Sequence, residues 1–422
     1  MSKAMLAVNG GKRMVPEGVM KPWPPIGAKD RELVLASLEG GIHTFGPNCR
    51  AFAEEFAAWN GNKYAITANS GTAALHMCVY ACGCGSGDEV IVPAYSWSSS
   101  ATCVLHHNAI PVFVDIDYNT MNIDAKKIEE AITEKTKAII VVHLHGLMAD
   151  MDAILSIAKA YNLKIIEDCC QAHGAAFQGK KAGTEGDCAA FSFNQNKCLC
   201  AGEGGMFVTN SEEMKNSASM LWSFGETRTP MESRDYHAYA LGWMYRNNDL
   251  SAAFGRAQLQ KLDHYLETQR ENAQALLEEV NGIPGLYPPF EPEGYTHNWY
   301  NFTNRVDASF YGYGDQQVPF RDAVLEALKA EGVPVGIWQS FILPAMTVFQ
   351  AQNGYGHGCP WICPNARRVS YPLDGYPAAT KHCESHFGMT TPLRAPNDTK
   401  TAQLVGKAIR KVFENTKELT VG

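Results

Sequence analysis

Four short stretches of the sequence place polar or reactive side chains directly after a run of apolar residues. They are ANSGTAAL (68–75), VPAYSWSSSA (92–101), IIEDCCQAHGA (165–175) and FSFNQNKCLCAGEGG (191–205). Such runs predict buried strands, and ligands of open parallel α/β sheets bind beyond the carboxyl ends of the strands. We therefore expect the four stretches to meet at one site.

The first stretch predicts a phosphate site. A strand is expected to end at Ala68, and a helix is expected to begin at Ser70, Gly71 and Thr72. Exposed amides at a helix N-terminus, a glycine that allows close approach and two hydroxyl groups suit a phosphate. The alternative is a plain serine or threonine helix cap, which needs no ligand.

The third stretch places Asp168 just past a nearly all-apolar strand. A buried carboxylate is unfavourable unless a cation or strong hydrogen-bond donors meet it. Asp168 is therefore either part of a binding site or an internal cap or ion pair. Glu167 is expected on the opposite face of the strand, and Gln171 and His173 follow on the turn.

The other two stretches contribute an aromatic side chain and a lysine. Trp97 opens a predicted helix, where it either packs in the core or offers a flat surface for stacking on a ring. Lys197 lies between two apolar runs, with Ser192 shortly before it. A lone lysine is ordinarily solvated, so only its neighbours can give Lys197 a functional meaning.

A phosphate cradle, a strand-end aspartate, an aromatic surface and a half-buried lysine are together the parts that hold pyridoxal phosphate. In such a site the aspartate keeps the pyridine nitrogen protonated, which makes the ring an electron sink, and the lysine forms the Schiff base. Burial is expected to lower the pKa of Lys197, so that its neutral amine can act as nucleophile and base.

Short β-branched runs alternate with helical segments from about residue 64 onwards, which predicts a parallel sheet wrapped by helices. The stretch 250–280 then predicts one long amphipathic helix, and the turn-rich stretch 283–295 predicts a domain boundary. We expect an N-terminal segment (1–45) that packs on the large domain, a large cofactor-binding domain (46–282) and a small C-terminal domain (283–422).

The composition favours a folded protein that acts on small molecules. The 422 residues are 45% apolar and carry a net charge of −8 without a basic cluster, which argues against nucleic-acid and membrane partners. The first residues predict no signal peptide, and no apolar stretch reaches the ~20 residues of a membrane helix. The thirteen cysteines include no C-x-x-C pair, so we expect no metal site and a cytoplasmic protein with reduced thiols.

The ordered motifs resemble those of the DegT/DnrJ/EryC1/StrS family of sugar aminotransferases, in the fold-type I group of pyridoxal phosphate enzymes. The match covers nearly the full length, because it also includes GIHTFGPNCRAFAEEFAAWNG (41–61) and YRNNDLSAAFGRAQL (245–259). The resemblance implies an α/β fold like that of aspartate aminotransferase. Its large domain would hold a mostly parallel seven-stranded sheet between helices, and a smaller C-terminal domain would be α+β.

The resemblance also implies a role for each candidate residue. Lys197 would be the Schiff-base lysine, and Asp168 would pair with the ring nitrogen. Gln171 would lie near the ring hydroxyl, and Trp97 would stack on the ring. The residues expected to hold the phosphate are Ser70, Gly71, Thr72 and Ser192.

Members of the family work as homodimers in which each site is completed by the neighbouring subunit, so we expect a homodimer. They commonly show G-x-N-Y-R in the segment that reaches the partner's phosphate, whereas this chain has Met244 in place of the asparagine. A thioether cannot replace an amide donor. Arg246 or Asn247 is therefore expected to take over that contact.

Other residues near these motifs have less specific interpretations. Cys198 and Cys200, which follow Lys197, are interpreted as small space-fillers rather than nucleophiles. The segment 336–346 is expected to help shape the pocket for the acceptor substrate. Candidates for substrate contacts, each with an ordinary structural role as the alternative, are His76, His143, His145 and Tyr245.

The expected reaction is a transamination from glutamate or glutamine to a keto-sugar or keto-cyclitol, with pyridoxamine phosphate carrying the amine between the two half-reactions. The motifs look most like those of the scyllo-inosose aminotransferases and of 3-amino-5-hydroxybenzoate synthase. One alternative is a lyase or dehydratase, such as an aromatising amino-dehydroshikimate enzyme, and another is a cofactor-binding sensor. The sequence identifies neither the keto acceptor nor the amino donor.

Overall fold

The computed structural model of the protein describes residues 5–227 and 236–422. The strands in these ranges are β1 Tyr64–Ala68, β2 Glu89–Pro93, β3 Ile110–Val114, β4 Thr136–Val142, β5 Lys164–Asp168, β6 Ala176–Phe177, β7 Lys180–Lys181, β8 Cys188–Ser192, β9 Gly205–Thr209, β10 Leu286–Tyr287, β11 Tyr295–Thr296, β12 Phe302–Val306 and β13 His386–Met389. The α-helices are α1 Ala28–Glu39, α2 Pro47–Asn60, α3 Gly71–Ala81, α4 Ser99–Leu105, α5 Ile128–Ala131, α6 Met151–Tyr161, α7 Glu212–Trp222, α8 Asp249–Leu259, α9 Leu262–Val280, α10 Gln317–Ala330, α11 Thr347–Gln350, α12 Pro377–Ser385 and α13 Thr399–Glu414.

Seven strands form the central sheet, in the spatial order β1-β9-β8-β5-β4-β2-β3. β9 runs antiparallel to both of its neighbours, and the other adjacent pairs are parallel. The register places Asp168 of β5 opposite Val142 of β4 and Ala190 of β8. The carboxyl ends of the central parallel strands therefore meet at one edge, as the sequence predicts.

The strands of this sheet are apolar on both faces, and helices bury both faces. In β4, Ile140 and Val142 join the hydrophobic cluster that contains α3, α4 and α7. The alternating residues Ile139 and Val141 join the cluster that contains α2, α6 and α8. The predicted α/β fold with a mostly parallel seven-stranded sheet between helices is confirmed.

The long helix predicted for 250–280 is wrong in one respect, because the structure contains two helices, α8 and α9, that are separated at Gln260 and Lys261. Lys261 Nζ lies 2.8 Å from the carboxylate of Asp30 in α1 and donates to the carbonyl oxygen of Pro25 at 3.1 Å. The break is thus accompanied by contacts with the N-terminal segment. The amphipathic periodicity of the sequence continues through the break between α8 and α9, so the sequence pattern could not predict this break.

A second, smaller unit is built around the antiparallel sheet β10-β12-β13. Its hydrophobic cluster combines α10 and α13 with the C-terminal half of α9. Leu6 and Val15 are completely buried in the same cluster. The expectation that the N-terminal segment packs on the large domain therefore needs correction, because its first part packs on the small unit.

Part of the C-terminal region returns to the large sheet. Leu343 N donates to the carbonyl oxygen of Ala94, just after β2, at 2.8 Å. Phe349 and Tyr371 are buried in the cluster on the α3 and α4 face. The chain beyond the predicted boundary near 283 thus packs on both units. No helix among the described residues has the length and apolar character needed to cross a bilayer.

One buried carboxylate ties this returning segment to β3. Asp115 accepts hydrogen bonds from Ala378 N at 3.1 Å and Ala379 N at 2.9 Å, at the start of α12. Lys127 Nζ lies 2.9 Å from the same side chain. Asp115 is 2% exposed, so its charge is satisfied by these contacts rather than by water.

Replacing this carboxylate with an amide is expected to destabilise the protein. Asp115→Asn should lower the free energy of unfolding by about 1–3 kcal/mol, because charge-assisted hydrogen bonds are lost in a buried site. Urea unfolding of the purified variant measures this. Asp398→Asn is the matched control: Asp398 caps α13 at the surface, where asparagine caps about as well as aspartate. Equal losses in the two variants would contradict the assignment.

Candidate active site

Sequence stretches that are far apart meet at the N-terminus of α3. A Cβ atom added to Gly71 would lie 2.7 Å from Ser192 Cβ, at the end of β8, and 3.0 Å from Cys170 Sγ, after β5. A Cβ atom on Gly205, at the start of β9, would lie 2.3 Å from the carbonyl oxygen of Ser70. The structure therefore brings Ser70, Gly71 and Ser192 together, and it leaves no room for a side chain at the two glycines.

The first turn of α3 combines a helix cap with the features of a phosphate site. Ser70 Oγ accepts from Ala73 N at 3.1 Å, so the plain cap is present. The proton of the same hydroxyl makes only a long contact, 3.5 Å to Asn69 Oδ1, and Thr72 is half-exposed in this turn. Because helix N-termini attract anions, a phosphate can bind here without displacing the cap.

Asp168 lies at the carboxyl end of β5 and is 5% exposed. Its carboxylate accepts from Ser100 Oγ at 2.7 Å and from Cys170 N at 3.1 Å. Within the described part of the chain it forms no ion pair, so the alternative of an internal ion pair is not realised. A buried carboxylate that is met only by neutral donors is well suited to a cationic ligand group.

Lys197 is half-buried, and its Nζ lies over the ring of Tyr300, 5.0 Å from the ring centroid. Burial lowers the pKa of Lys197. The Tyr300 hydroxyl, the Cys170 thiol and the Asp168 carboxylate raise this pKa by more, so the net shift is upward. The expectation of a lowered lysine pKa is therefore wrong for this arrangement, because neighbouring groups outweigh desolvation.

Trp97 lies just before α4, one helical turn from the Ser100 that holds Asp168. It is 53% exposed, so it does not belong to the core. The centroid of its ring is 6.2 Å from that of Trp338, which comes from the segment 336–346. The two tryptophans form an aromatic wall beside the site, and a flat ring could stack on it.

Gln171 connects the turn after β5, in which it lies, to the adjacent turn after β4. Its Oε1 accepts from His145 N at 2.7 Å, and its carbonyl oxygen accepts from Asn298 Nδ2 at 2.9 Å. His145 has a φ of 55°, which is uncommon for a residue with a side chain. Its ring lies 5.0 Å from that of Trp338, and its buried Nε2 has no partner among the described residues. Of the candidate histidines, His145 is thus the one next to the aromatic wall.

The segment around Met244 runs along the end of β1 in the same subunit. Asn69 N donates to the carbonyl oxygen of Tyr245 at 2.8 Å, and Arg246 bridges to Ala68. Met244 is 50% exposed, whereas Asn247 is 3% exposed. In this conformation Asn247 lies inside its own subunit and cannot extend to a partner, which corrects the expectation for that residue.

The surroundings of the two thiols beside Lys197 make them poor nucleophiles. Cys198 and Cys200 are completely buried, and burial raises the pKa of both. A protonated thiol is a poor nucleophile. The contacts of Cys198 Sγ with Gln269 Nε2 at 3.5 Å and of Cys200 Sγ with Gly202 N at 3.3 Å support the space-filling interpretation.

Two other candidate histidines have internal partners. His143 Nε2 lies 2.9 Å from Glu167 and its Nδ1 accepts from Ala149 N. Together with Cys169 these ligand atoms lie close enough for a metal ion, but hydrogen bonds already occupy both nitrogens of the imidazole. His76 Nδ1 lies 2.9 Å from the Tyr245 hydroxyl, and burial lowers its pKa to about 3. His143 thus supports the backbone before α6, and His76 contacts the side chains of Tyr245 and His107.

Three contributors to the site are not among the residues singled out in the sequence. Ser100 holds Asp168, Tyr300 holds Lys197, and Trp338 faces Trp97. Ser100 lies in the quoted stretch 92–101, where a helix-start serine reads as an ordinary cap. The cluster THNWYN (296–301) is rich in aromatic and amide groups, which is the one local signal that could have suggested Tyr300.

These residues fit pyridoxal phosphate. The uncompensated carboxylate of Asp168 suits a protonated ring nitrogen, the start of α3 suits the phosphate, and Lys197 suits the aldehyde. Residues 24–371 match the DegT/DnrJ/EryC1/StrS aminotransferase family. The chain belongs to this family. It is therefore a pyridoxal phosphate-dependent aminotransferase, and the recognition made from the sequence motifs is confirmed.

Individual relatives agree with this membership. The chain is 43% identical to GDP-perosamine synthase of Caulobacter vibrioides over 74% of this chain and 81% of that protein. It is 36% identical to L-glutamine:2-deoxy-scyllo-inosose aminotransferase of Streptomyces paromomycinus over 78% and 80% of the two chains. The solved structure of 3-amino-5-hydroxybenzoic acid synthase is similar, with a TM-score of 0.80, 28% identity and coverage of 94% and 99%. The lyase and sensor alternatives are not favoured by this family.

The close approach at Gly71 predicts that its replacement weakens cofactor binding. In Gly71→Ala the added methyl group would displace Ser192 or Cys170, and overpacking of this kind typically costs ~1–3 kcal/mol. We expect weaker binding of pyridoxal phosphate, measured by titration of the cofactor-free protein and followed by its visible absorbance. Gly85→Ala is the control, because a Cβ atom there meets nothing within 4 Å. Unchanged affinity in Gly71→Ala would show that the cradle is misassigned.

Proposed function

We propose that this aminotransferase transfers an amino group from L-glutamate or L-glutamine to the carbonyl carbon of a keto-sugar or keto-cyclitol. The observation that carries the proposal is the placement of Lys197 beside the uncompensated carboxylate of Asp168 and the open start of α3. The acceptor class is supported by relatives whose names specify perosamine and 2-deoxy-scyllo-inosose. The donor would leave as a 2-oxo acid, and pyridoxamine phosphate would hold the amine between the two half-reactions.

When bound, pyridoxal phosphate supplies an aldehyde that bonds to amines and a ring that accepts electrons from the donor carbon. Asp168 holds the proton on the ring nitrogen, and Ser100 keeps that carboxylate oriented through its hydrogen bond of 2.7 Å. Ser70, Thr72 and Ser192 would offer their hydroxyl groups to the phosphate. Gln171 would lie near the ring hydroxyl.

Lys197 has two tasks in this proposal. Its Nζ would hold the cofactor through the aldehyde, and its free amine would act as the general acid–base that moves the proton of the donor α-carbon. Tyr300 helps to hold the amine in the site, because Lys197 Nζ lies over its ring, 5.0 Å from the ring centroid. The aromatic wall of Trp97 and Trp338 would offer the cofactor ring a stacking surface.

The lysine assignment predicts complete dependence on Lys197. Lys197→Ala should lose the visible absorbance of the lysine-bound cofactor and fall at least 10²-fold in amine transfer, because a general acid–base typically contributes that much. Wild-type protein should release 2-oxo acid when it receives the donor, and a keto acceptor should restore the absorbance. Lys181→Ala, which removes a half-buried lysine remote from the site, is the control. Turnover by Lys197→Ala at the wild-type rate would contradict the proposal.

We also propose that the protein works as a homodimer with shared active sites. Support comes from exposed apolar side chains near the segment around Met244: Leu241 is 71% exposed, Tyr239 57% and Phe224 40%. Exposed apolar groups in one region commonly mark an interface. Arg246 lies in this region with its guanidinium over Phe224, 5.2 Å from the ring centroid. In the proposed dimer Arg246, rather than the internal Asn247, reaches the partner's phosphate.

Mixed dimers test this shared site. Subunits with Lys197→Ala and subunits with Arg246→Ala should each have low activity alone. Mixing them should restore activity, because one site then combines an intact Lys197 with the partner's Arg246. A mixture of Lys197→Ala and Asp168→Asn should regain nothing, because these two residues serve the same site from one chain. Failure of the first mixture, with mixed dimers shown to form, would assign Arg246 to its own subunit.

The cytoplasm remains the predicted location. Support comes from the cysteines: all thirteen lie within the described residues and are free thiols. Proteins of oxidising compartments generally use their cysteines in disulfides.

A further inference from the structure

Two cysteines lie side by side in the segment that returns from the small unit to the large sheet. Cys359 Sγ and Cys363 Sγ are 3.6 Å apart. Both residues are half-buried, so a small molecule in solution can reach the pair. The proposed transamination gives neither thiol a role. The pair is therefore a cluster of nucleophilic groups whose use has to be sought elsewhere.

The backbone of a tight turn holds the two thiols together. Gly354 N and Tyr355 N donate to the carbonyl oxygen of Cys359 at 3.0 and 3.1 Å. Cys363 N donates to the carbonyl oxygen of Pro360 at 3.1 Å. Because these bonds fix the backbone around both cysteines, the two sulfur atoms are in contact without a covalent link. A bond between them would require no large movement of the chain.

Contacts with the large sheet fix the same turn in place. Tyr355 Oη donates to the carbonyl oxygen of Leu105, the last residue of α4, at 2.9 Å. Trp361, between the two cysteines in the sequence, is 5% exposed, and its Nε1 donates to Tyr371 Oη at 2.9 Å. Tyr371 Oη donates in turn to the carbonyl oxygen of Pro111 in β3 at 2.8 Å. The turn thus presents the two thiols in one fixed arrangement.

A second thiol pair provides a contrast within the same chain. Cys82 Sγ and Cys188 Sγ are 3.8 Å apart, but Cys188 lies in β8 and is 2% exposed. Burial raises the pKa of the Cys188 thiol, and a buried, protonated thiol reacts slowly with oxidants. The two pairs have similar sulfur separations and differ in accessibility. Oxidation is therefore expected at Cys359 and Cys363 and not at the pair in the core.

We propose that Cys359 and Cys363 form a site of reversible oxidation, at which a hydroperoxide converts the two thiols into an intramolecular disulfide. Accessible disulfides are the ones that thiol reductants reduce readily, so the oxidation would be reversible. The proposal does not rest on the proposed transamination, because neither cysteine takes part in it.

The reaction balances with the two thiols and the peroxide alone. The thiolate of Cys363 attacks a peroxide oxygen, the O–O bond breaks, and a sulfenic acid and a water molecule result. The Cys359 thiol then attacks the sulfur of the sulfenic acid, the S–O bond breaks, and a second water molecule leaves. The two sulfur atoms together lose two electrons, which the peroxide accepts. Burial raises the pKa of the Cys359 thiol, which is why Cys359 is assigned to the second step.

Mass spectrometry of the full-length holoenzyme tests this site. Trypsin releases residues 330–367 as one peptide, in which Cys359 and Cys363 are the only cysteines. The protein is treated with an equimolar amount of hydrogen peroxide and then unfolded in iodoacetamide, which alkylates free thiols. We expect most of this peptide to carry no alkyl group on its cysteines and to be lighter than the reduced peptide by two hydrogen atoms. Dithiothreitol before alkylation should restore both thiols.

Two variants separate this pair from general cysteine oxidation. Cys359→Ser should form no disulfide, and dimedone should trap its Cys363 as the sulfenic acid. Cys82→Ser is the matched control: it removes one thiol of the buried pair and should leave disulfide formation in the peptide 330–367 unchanged. The unfolding temperature shows whether each variant is folded.

Three results would overturn the proposal. In the first, Cys359 and Cys363 of the wild-type protein remain as fully alkylated as Cys188 after peroxide treatment. In the second, they are oxidised to sulfinic acids without passing through a disulfide. In the third, a disulfide forms between Cys82 and Cys188 while the peptide 330–367 stays reduced.

Zinc binding is the competing use of two adjacent thiols. Structural zinc is ordinarily held by four protein ligands. Among residues 5–227 and 236–422, no third histidine, cysteine or acidic side chain joins Cys359 and Cys363 in a group of metal ligands. Two thiols alone favour the disulfide. Zinc in the purified protein that prevents alkylation of the peptide 330–367, and is released by a chelator, would also overturn the proposal.

Discussion

The site depends on one constraint, which is the burial of a carboxylate at the carboxyl end of the central strand. Asp168 is 5% exposed, and its contacts are neutral donors from Ser100 and from the backbone after β5. Its place is set by the sheet register, which aligns it with Val142 and Ala190. A carboxylate in such surroundings is stable only when a positive group completes it. A protonated pyridine nitrogen is such a group, which links the fold of the sheet directly to cofactor chemistry.

A buried positive charge balances this arrangement on the side of the small unit. Arg394 and Lys197 share the ring of Tyr300, so the amine stands between an unpaired carboxylate and an unpaired guanidinium. The direction of the lysine pKa shift follows from this geometry: burial lowers the pKa, but the facing hydroxyl, thiol and carboxylate outweigh it. The free amine is therefore held as a cation close to Asp168, and bonding to a cofactor would release that charge.

The walls of the site come from distant parts of the chain. Trp23 precedes α1, Trp97 and Ser100 flank the start of α4, and Tyr300 precedes β12, while Trp338 belongs to a segment that crosses from the small unit to the large sheet. The returning segment is anchored at Leu343 and by Asp115 at the start of α12. The shape of the site thus depends on how the two units fit together. The names of relatives specify different compounds, perosamine in one case and 2-deoxy-scyllo-inosose in the other, as expected if loops around a common site set specificity.

The sequence by itself determined the family and the central strands, and it predicted the phosphate cradle at Ser70 and Gly71 and the separate roles of Asp168 and Lys197. Each of these features can be recognised from a short stretch, as an apolar run that ends in polar residues. In a parallel sheet the carboxyl ends of such strands lie at one edge. Only the tertiary structure decided the partners of those residues, the break between α8 and α9, and the inward place of Asn247. The same holds for Arg394, which nothing in its local sequence distinguishes from a surface arginine. Each of these depends on contacts between residues far apart in the chain, and local periodicity carries no information about such contacts.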